Sequence, residues 1–486
     1  MKGRKSKQVI VAVIDSGIDT LHEDLLPVLW VNPREKKGNG IDDDGNGYVD
    51  DIYGWNFCGS ASGVNLSRNS HEITRVYHNW KAQFEGKKEK EIEGDQKFLF
   101  EQWVKAKAIL EKDYAESKKN LGNMTRFLEG LEASSDFLKK EFSWTSFTVN
   151  SLKDPAIASN SELKRAADYW KSIFSQVADT SLTNSAVIED VRRYKNDLEA
   201  KRKRMEEAPE DWRGELTKDK YTDISDKYYG NSNLKEGSGN HGTSVAGVIA
   251  AVRGNGIGVD GIADNVRIMA IRAVPGGDEH DKDVALAIRY AVDNGASIIN
   301  MSFGKPVSPY KQFVDDAVKY AASKGVLLIH GSGNSAENVS KNVFYPNPQF
   351  IDGTIAPNFL TVGASGDLST GSISADFSNY SKDWVDLFAP GVYIHCPATN
   401  NQYETADGTS LAAPVAAGVA ALLKSYFPEL SPADIIRILK ASGTEYKEKV
   451  KLPGSDERLV LMTELSISGR IVNAASAVKM ALSEQK

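Results

Sequence analysis

Residues 8–14, QVIVAVI, form an unbroken apolar, largely β-branched run that stops at Asp15-Ser16-Gly17. That is the pattern of a strand buried on both faces of a parallel sheet. Runs of the same kind recur at 266–273, 297–301, 325–330 and 359–363. Between them, apolar residues return at helical spacing over 283–294 and 310–324, which predicts amphipathic helices. Further on, a small-residue helix is expected from Ser410 to about 426. Another opens at Ser431-Pro432, with Ser as N-cap and Pro in the first turn, and a last one lies near 473–483. The alternation of buried strand and helix predicts an α/β fold, a doubly wound and mostly parallel sheet flanked by helices.

One region departs from this rhythm. From 67 to 221 the chain is rich in Lys and Glu and poor in strand-like runs, and it carries stripes such as Leu99, Trp103, Ala106, Leu110 and Val187, Val191, Tyr194, Leu198. These stripes predict a large inserted α-helical subdomain. The catalytic domain is then expected at 1–66 and 222–486. The basic cluster Lys201-Arg202-Lys203-Arg204 reads as a solvated helix face.

Composition adds limits. Of 486 residues, 41% are apolar and 26% charged, with a formal net charge of −7, which argues against a general nucleic-acid or anionic-membrane binder. Two cysteines, Cys58 and Cys396, are too few for a disulfide framework and have no metal-ligand spacing. No apolar run approaches the roughly 20 residues needed to span a bilayer.

Four segments place reactive or polar groups at strand ends or helix starts. Asp15 follows the first buried strand; His241, in GNHGTSVAGVIAAV, opens a helix; Asn334, in GVLLIHGSGNS, follows a later strand; Ser410, in DGTSLAAPVAAGVAALL, lies in a first helical turn. In open α/β sheets such positions converge beyond the carboxyl ends of the strands. A serine hydroxyl needs an adjacent base, an imidazole supplies it, and a carboxylate on the other ring nitrogen sets the tautomer. Asp15, His241 and Ser410 are those three parts, and the Asn334 amide with the Ser410 backbone N–H would receive an oxyanion. The Gly-rich pieces GSGNHGT and GNGIGVDG lack the Gly-Lys-Ser/Thr of a phosphate loop.

The stretches DSGIDTLHEDL, NHGTSVAGVIAA, INMSFG, GSGNS, LFAPGV and GTSLAAP resemble the motifs of the subtilisin-like serine proteases, in the order aspartate, histidine, serine. The resemblance covers residues 1 to about 60 and about 222 to 480, and leaves the helical insertion outside. It implies a serine endopeptidase with catalytic Asp15, His241, Ser410 and Asn334. It also implies that Ser302, Phe303 and Gly304 pair with an extended protein or peptide substrate, and that Ser335 lies near the specificity pocket. Leu411 stands where relatives often carry Met, so better tolerance of oxidants is expected; Ser244 replaces a frequent second histidine. The resemblance favours export, with a leader and pro-segment that are not visible before Val9. The insertion is expected to restrict the cleft or to bind a pro-segment or partner protein; a catalytically silent scaffold binding a partner there is the alternative function.

DDDGNGYVDD, residues 42–51, holds five carboxylates and two glycines in ten positions. Asp42, Asp44 and Asn46 alternate, with Asp50 in ninth place, as in an EF-hand loop, but the twelfth place is Tyr53 rather than Glu. Either a solvated acidic turn or a structural Ca²⁺ site fits, and crowded carboxylates favour the cation. Asp51 and the carbonyl of Tyr48 complete the expected ligands. By resemblance, Asp24 and Asn255 mark a second calcium site.

Overall fold

The computed structural model describes residues 4–94, 96–177, 179–235, 240–367 and 372–485. The chain divides into two compact units, one made of Met1–Glu72 with Glu210–Lys486, the other of Ile73–Pro209.

The first unit is built on a nine-stranded sheet. Its strands in chain order are β1 (Val9–Asp15), β2 (Gly54–Asn56), β3 (Val266–Arg272), β4 (Ile298–Met301), β5 (Leu327–Gly331), β6 (Phe359–Ser365) and β7 (Leu387–Pro390). A hairpin of β8 (Ile394–Ala398) and β9 (Gln402–Ala406) stands apart. Then come β10 (Thr444–Glu445), the small ribbon β11 (Val450–Lys451) and β12 (Leu459–Val460), and β13 (Arg470–Ile471). The sheet order is β10-β13-β7-β6-β5-β4-β1-β3-β2. All its pairings are parallel except β10 with β13.

Side-chain alternation explains why so many strands are apolar throughout. Val9, Val11 and Val13 of β1 enter one core cluster, whereas Ala12 and Ile14 enter the other. Ile268 and Ala270 of β3 oppose Met269 and Ile271 in the same way. With both faces covered, every position of a strand is buried. From β1 the chain runs to β3 on one side, and from β4 through β7 on the other. In open α/β sheets such a reversal marks where a crevice forms, here beyond the carboxyl ends of β1 and β4.

Twelve α-helices are described in all, labelled in chain order. Those of the second unit are α1 (Glu72–Phe84, whose first residue belongs to the first unit), α2 (Gln96–Phe142), α3 (Ser161–Phe174) and α4 (Asn184–Glu206). The first unit carries α5 (Trp212–Thr217), α6 (Asn240–Ala250), α7 (Asp281–Asp293), α8 (Lys311–Ser323), α9 (Thr409–Tyr426), α10 (Pro432–Ser442), α11 (Met462–Leu465) and α12 (Ala474–Glu484). The small residues of α6 and α9 (Val245, Ala246, Ala412, Ala413, Ala416, Ala417) pack on one sheet face and those of α7 and α8 on the other. Ser431 caps α10 in a box with Asp434, and Asn473 caps α12.

In the second unit α2 buries Phe100, Trp103, Ala106 and Leu110 near its start and Leu128, Leu131 and Leu138 near its end. Asn184, fully buried, accepts from Phe147 N and donates to Ser135 Oγ. The expected stripe on α4 is narrower than its spacing suggested: Leu198 is buried, but Tyr194 is 41% exposed. Of the basic cluster, Lys201 pairs with Glu116 and Arg202 with Glu206 at the surface. Residues 67–72 and 210–221 lie in the sheet-centred unit. They are held there by polar contacts rather than apolar periodicity, for instance Arg213 on Asp283 and Asp219.

Candidate functional site

Asp15 is the last residue of β1 and is 1% exposed. Its Oδ1 accepts from the backbone N–H of Ser16 at 2.6 Å and from His241 Nδ1 at 2.8 Å. The carboxylate acceptor assigns the ring proton to Nδ1 and leaves Nε2 as the basic nitrogen. Asp15 Oδ2 has no hydrogen-bond partner among the described residues. His241 sits in the first turn of α6, and its side chain is 43% exposed. The helix start comes this close because Gly242 lacks a side chain: a Cβ there would stand 2.1 Å from Gly17 O and 3.1 Å from Asp15 Cβ. The Asp15 charge raises the imidazole pKa above its ordinary 6.5, against the opposing pull of desolvation, and Glu404 adds to the rise. Residues 237–239 of GSGNHGT lie outside the described residues.

Ser410 lies in the first turn of α9, where a helix has no internal acceptor for backbone N–H groups. The Asn334 side chain is oriented by its neighbour: Oδ1 accepts from Thr409 N at 2.9 Å and Thr409 Oγ1 at 2.8 Å. Two donors on the oxygen turn the Nδ2 donor away from them. A methyl group on Gly408 would stand 2.8 Å from Ser410 Oγ and 3.5 Å from Asn334 Nδ2. The hydroxyl and the amide nitrogen therefore border one small space, kept open by a glycine. The structure thus joins Asp15 to His241 directly and Asn334 to the start of α9; no hydrogen bond from His241 to Ser410 Oγ is among the described contacts.

The segment after β4 is tied to both. Ser302 Oγ accepts from Asn300 Nδ2 at 2.9 Å and donates to Ser410 O at 2.8 Å. Phe303 O receives the Nε2–H of His330 at 2.8 Å. His330 is kept neutral because burial pulls its pKa down to about 4. Phe303 is thereby anchored through its carbonyl at the carboxyl end of β4. Ser335 is exposed, and its N–H donates to Asn379 Oδ1 at 3.0 Å. Asn379 also receives Glu337 N and donates Nδ2 to Ser332 O, clamping the loop that carries Asn334.

Sequence pattern gave no sign of Thr409, Asn379, His330 or Glu404 as supporting residues. Glu404, on β9, accepts from Asn240 Nδ2 at 2.7 Å and lies 3.1 Å from Ser244 Oγ, so it grips α6 on both sides of His241. Ser244, noted above as a departure from the family pattern, takes up this contact. Leu411 is buried against Val248 and Cys396.

The acidic loop separates into two groups. Carboxylate oxygens of Glu35, Asp42 and Asp44 lie within 4.8 Å of one another, and Glu35 Oε2 is buried without a hydrogen-bond partner among the described residues. Asp50 turns elsewhere, accepting the backbone N–H groups of Gly38, Asn39 and Gly40. Asp51, fully buried, accepts from Asn32, Asn46 and Tyr290. Asn46 Oδ1 accepts from Tyr48 N, and the Tyr48 ring packs against Trp55, Phe57 and Tyr290. Glu35 was not apparent from the ten-residue motif because it lies seven residues upstream of Asp42. Asp24 and Asn255 do meet, but through a hydrogen bond from Asn255 Nδ2 at 2.7 Å; Val259 N and Tyr403 Oη occupy the other Asp24 oxygen.

A protein-family model described as the Subtilase family matches residues 6–459. The chain is 41% identical over 187 residues to the thermophilic serine proteinase of Bacillus sp. (strain AK1), covering 38% of this chain and 43% of that protein. It is 36% identical over 216 residues to alkaline elastase YaB of Bacillus sp. (strain YaB), covering 44% and 52%. The chain thus spans about half the length of these curated relatives. Among solved structures, a cold adapted subtilisin-like serine proteinase is 29% identical, with 50% of this chain and 78% of that chain covered and a TM-score of 0.39. Among the described residues no helix is long and apolar enough to cross a membrane. With the family model spanning nearly the full sequence and named proteases among its relatives, the chain belongs to the subtilase family.

Proposed function

We propose that this chain is a serine endopeptidase that cleaves extended or unfolded protein substrates through an acyl-enzyme. The observation that carries the reading is the buried Asp15 carboxylate on His241 Nδ1 at 2.8 Å, with Ser410 Oγ and Asn334 Nδ2 bordering the same gap beside Gly408. In this reading His241 Nε2 takes the Ser410 proton as Oγ attacks the carbonyl carbon. Asp15 stabilises the imidazolium that forms. The oxygen acquires charge and receives hydrogen bonds from Asn334 Nδ2 and Ser410 N–H, in the positive field of the α9 N-terminus. The imidazolium then protonates the leaving amine, and water repeats the sequence to release the acid. Backbone pairing along Ser302 and Gly304 selects chains able to lie extended. The test is hydrolysis of a denatured against a native protein. Wild type should digest the denatured form and Ser410→Ala should digest neither; equal digestion by both enzymes would sink the proposal.

Structural calcium belongs to the same proposal, held by Glu35, Asp42 and Asp44. Three hard carboxylates, one of them also paired with Arg34 at 3.0 Å, converge on a space where one buried oxygen has no partner among the described residues, and hard oxygen donors suit Ca²⁺. The ion would hold the loop and take no part in bond cleavage. Chelation should lower the unfolding temperature, with recovery on adding Ca²⁺ but not Mg²⁺; an unchanged midpoint would remove the ion from the account. Similarity to the cell wall-associated protease of Bacillus subtilis (strain 168), 33% identical over 240 residues, supports an exported protein, and recovery of the native protein only from cytosol would contradict that.

A further inference from the structure

The proposed cleavage mode fixes where a substrate side chain must go. With the carbonyl carbon at Ser410 Oγ, its oxygen toward Asn334 Nδ2 and the chain along 302–304, the residue on the acyl side projects into the gap between that segment and the loop 331–335. These are the carboxyl ends of the adjacent strands β4 and β5. The gap is already filled by an aromatic ring. A Cβ on Gly304 would stand 2.4 Å from Cε1 and 2.6 Å from Cζ of Phe344, and one on Gly333 would stand 3.2 Å from the same Cε1. Both walls are glycines: the ring takes the room beside Gly304 and reaches the edge of that beside Gly333, where Asn379 Nδ2 stands closer, at 2.4 Å from the Cβ position.

The ring has little freedom to leave. Lys305 and Tyr345 exchange backbone hydrogen bonds at 2.9 and 2.8 Å, which fixes Gly304 beside Phe344. His330, itself bonded to Phe303 O, packs on the ring with centroids 5.9 Å apart. Val339, Val343 and Trp384 line an apolar pocket with it. We infer that Phe344 determines specificity by filling the gap between 302–304 and 331–335, so that the residue before the scissile bond must be small, such as Gly, Ala or Ser. The inference rests on the proteolytic reading above. Steric exclusion of this kind, unlike the loss of a single methylene contact, rejects a large side chain outright, so the expected discrimination exceeds about tenfold.

The test compares kcat/KM for two short chromogenic peptides differing only in Ala or Phe before the cleaved bond. Wild type should favour Ala by at least about tenfold, and the Ala/Phe ratio should fall by about tenfold or more in Phe344→Ala and further in Phe344→Gly. Wild type cleaving the Phe peptide as well as the Ala peptide would overturn the assignment, whatever the variants do. So would variants that melt like wild type yet keep its ratio. A fluorophosphonate probe run alongside separates the two levels. Labelling at Ser410 without preference removes only the role of Phe344; no labelling and no cleavage of either peptide removes the proteolytic reading with it.

Discussion

Around Arg213, charge is buried: its guanidinium meets Asp283 at 2.6 Å and Asp219 at 2.8 Å, Lys282 reaches Asp219 at 2.5 Å, and none of these side chains is more than 2% exposed. Around Arg192, in the helical unit, the same chemistry is at the surface. Arg192 pairs with Glu132 and Glu189 while its side chain stays 43% exposed. Water competes for the second set and not for the first, so geometry in the sheet-centred unit is tightly determined while the long helices keep their charges for solubility. The groups that support the candidate site follow the first pattern. Asp15, Ser302 and His330 are each below 10% exposed, and each orients a partner that reaches the crevice.

The sharpest way to break this contrast is to remove one partner from the buried set. Arg213→Ala leaves Asp283 and Asp219 without their main counter-charge and should lower unfolding stability by about 3–5 kcal/mol; a denaturant midpoint close to wild type would contradict it. Next in size is Asn334→Ala, which removes an oriented donor but little packing. It should cut kcat by roughly 100- to 1,000-fold with KM and stability largely preserved. That range is the one for the corresponding donor of subtilisin, a member of the same family. The smallest effect is expected from Arg192→Ala, which should scarcely move the unfolding midpoint. A shift comparable to that of Arg213→Ala would erase the distinction.

Much of the fold could be read from the letters because two-faced burial writes itself as continuous apolar runs. The run at 8–14 is β1 and those at 266–273, 297–301, 325–330 and 359–363 are β3 to β6, within two residues at each end. The α/β class and the parallel sheet follow from them. The rest lacked a periodic signature. β2 and β7 are only three and four residues long, β7 ends in a proline, and β8 with β9 is a half-exposed hairpin whose alternation is weak. Positions such as Asp15 at a strand end and His241 at a helix start were legible as local features. Their supports were not, because Glu404 reaches Asn240 across 164 residues and Asn379 reaches Ser335 across 44. Phe344 meets Gly304 only through the bridge of Lys305 with Tyr345. Contacts of this kind depend on the folded path and leave no spacing rule in the chain.

In the proposed reading His241, polarised by Asp15, makes Ser410 a nucleophile. The most direct test of this is the rate of fluorophosphonate labelling as a function of pH, with the adduct located by peptide mass. A single adduct on Ser410 is expected. Because the Asp15 charge raises the His241 pKa, the neutral base is scarce at low pH, and the rate should rise with pH to a plateau with its midpoint above 6.5. No adduct on Ser410 at any pH, or an equal rate in His241→Ala, would contradict it.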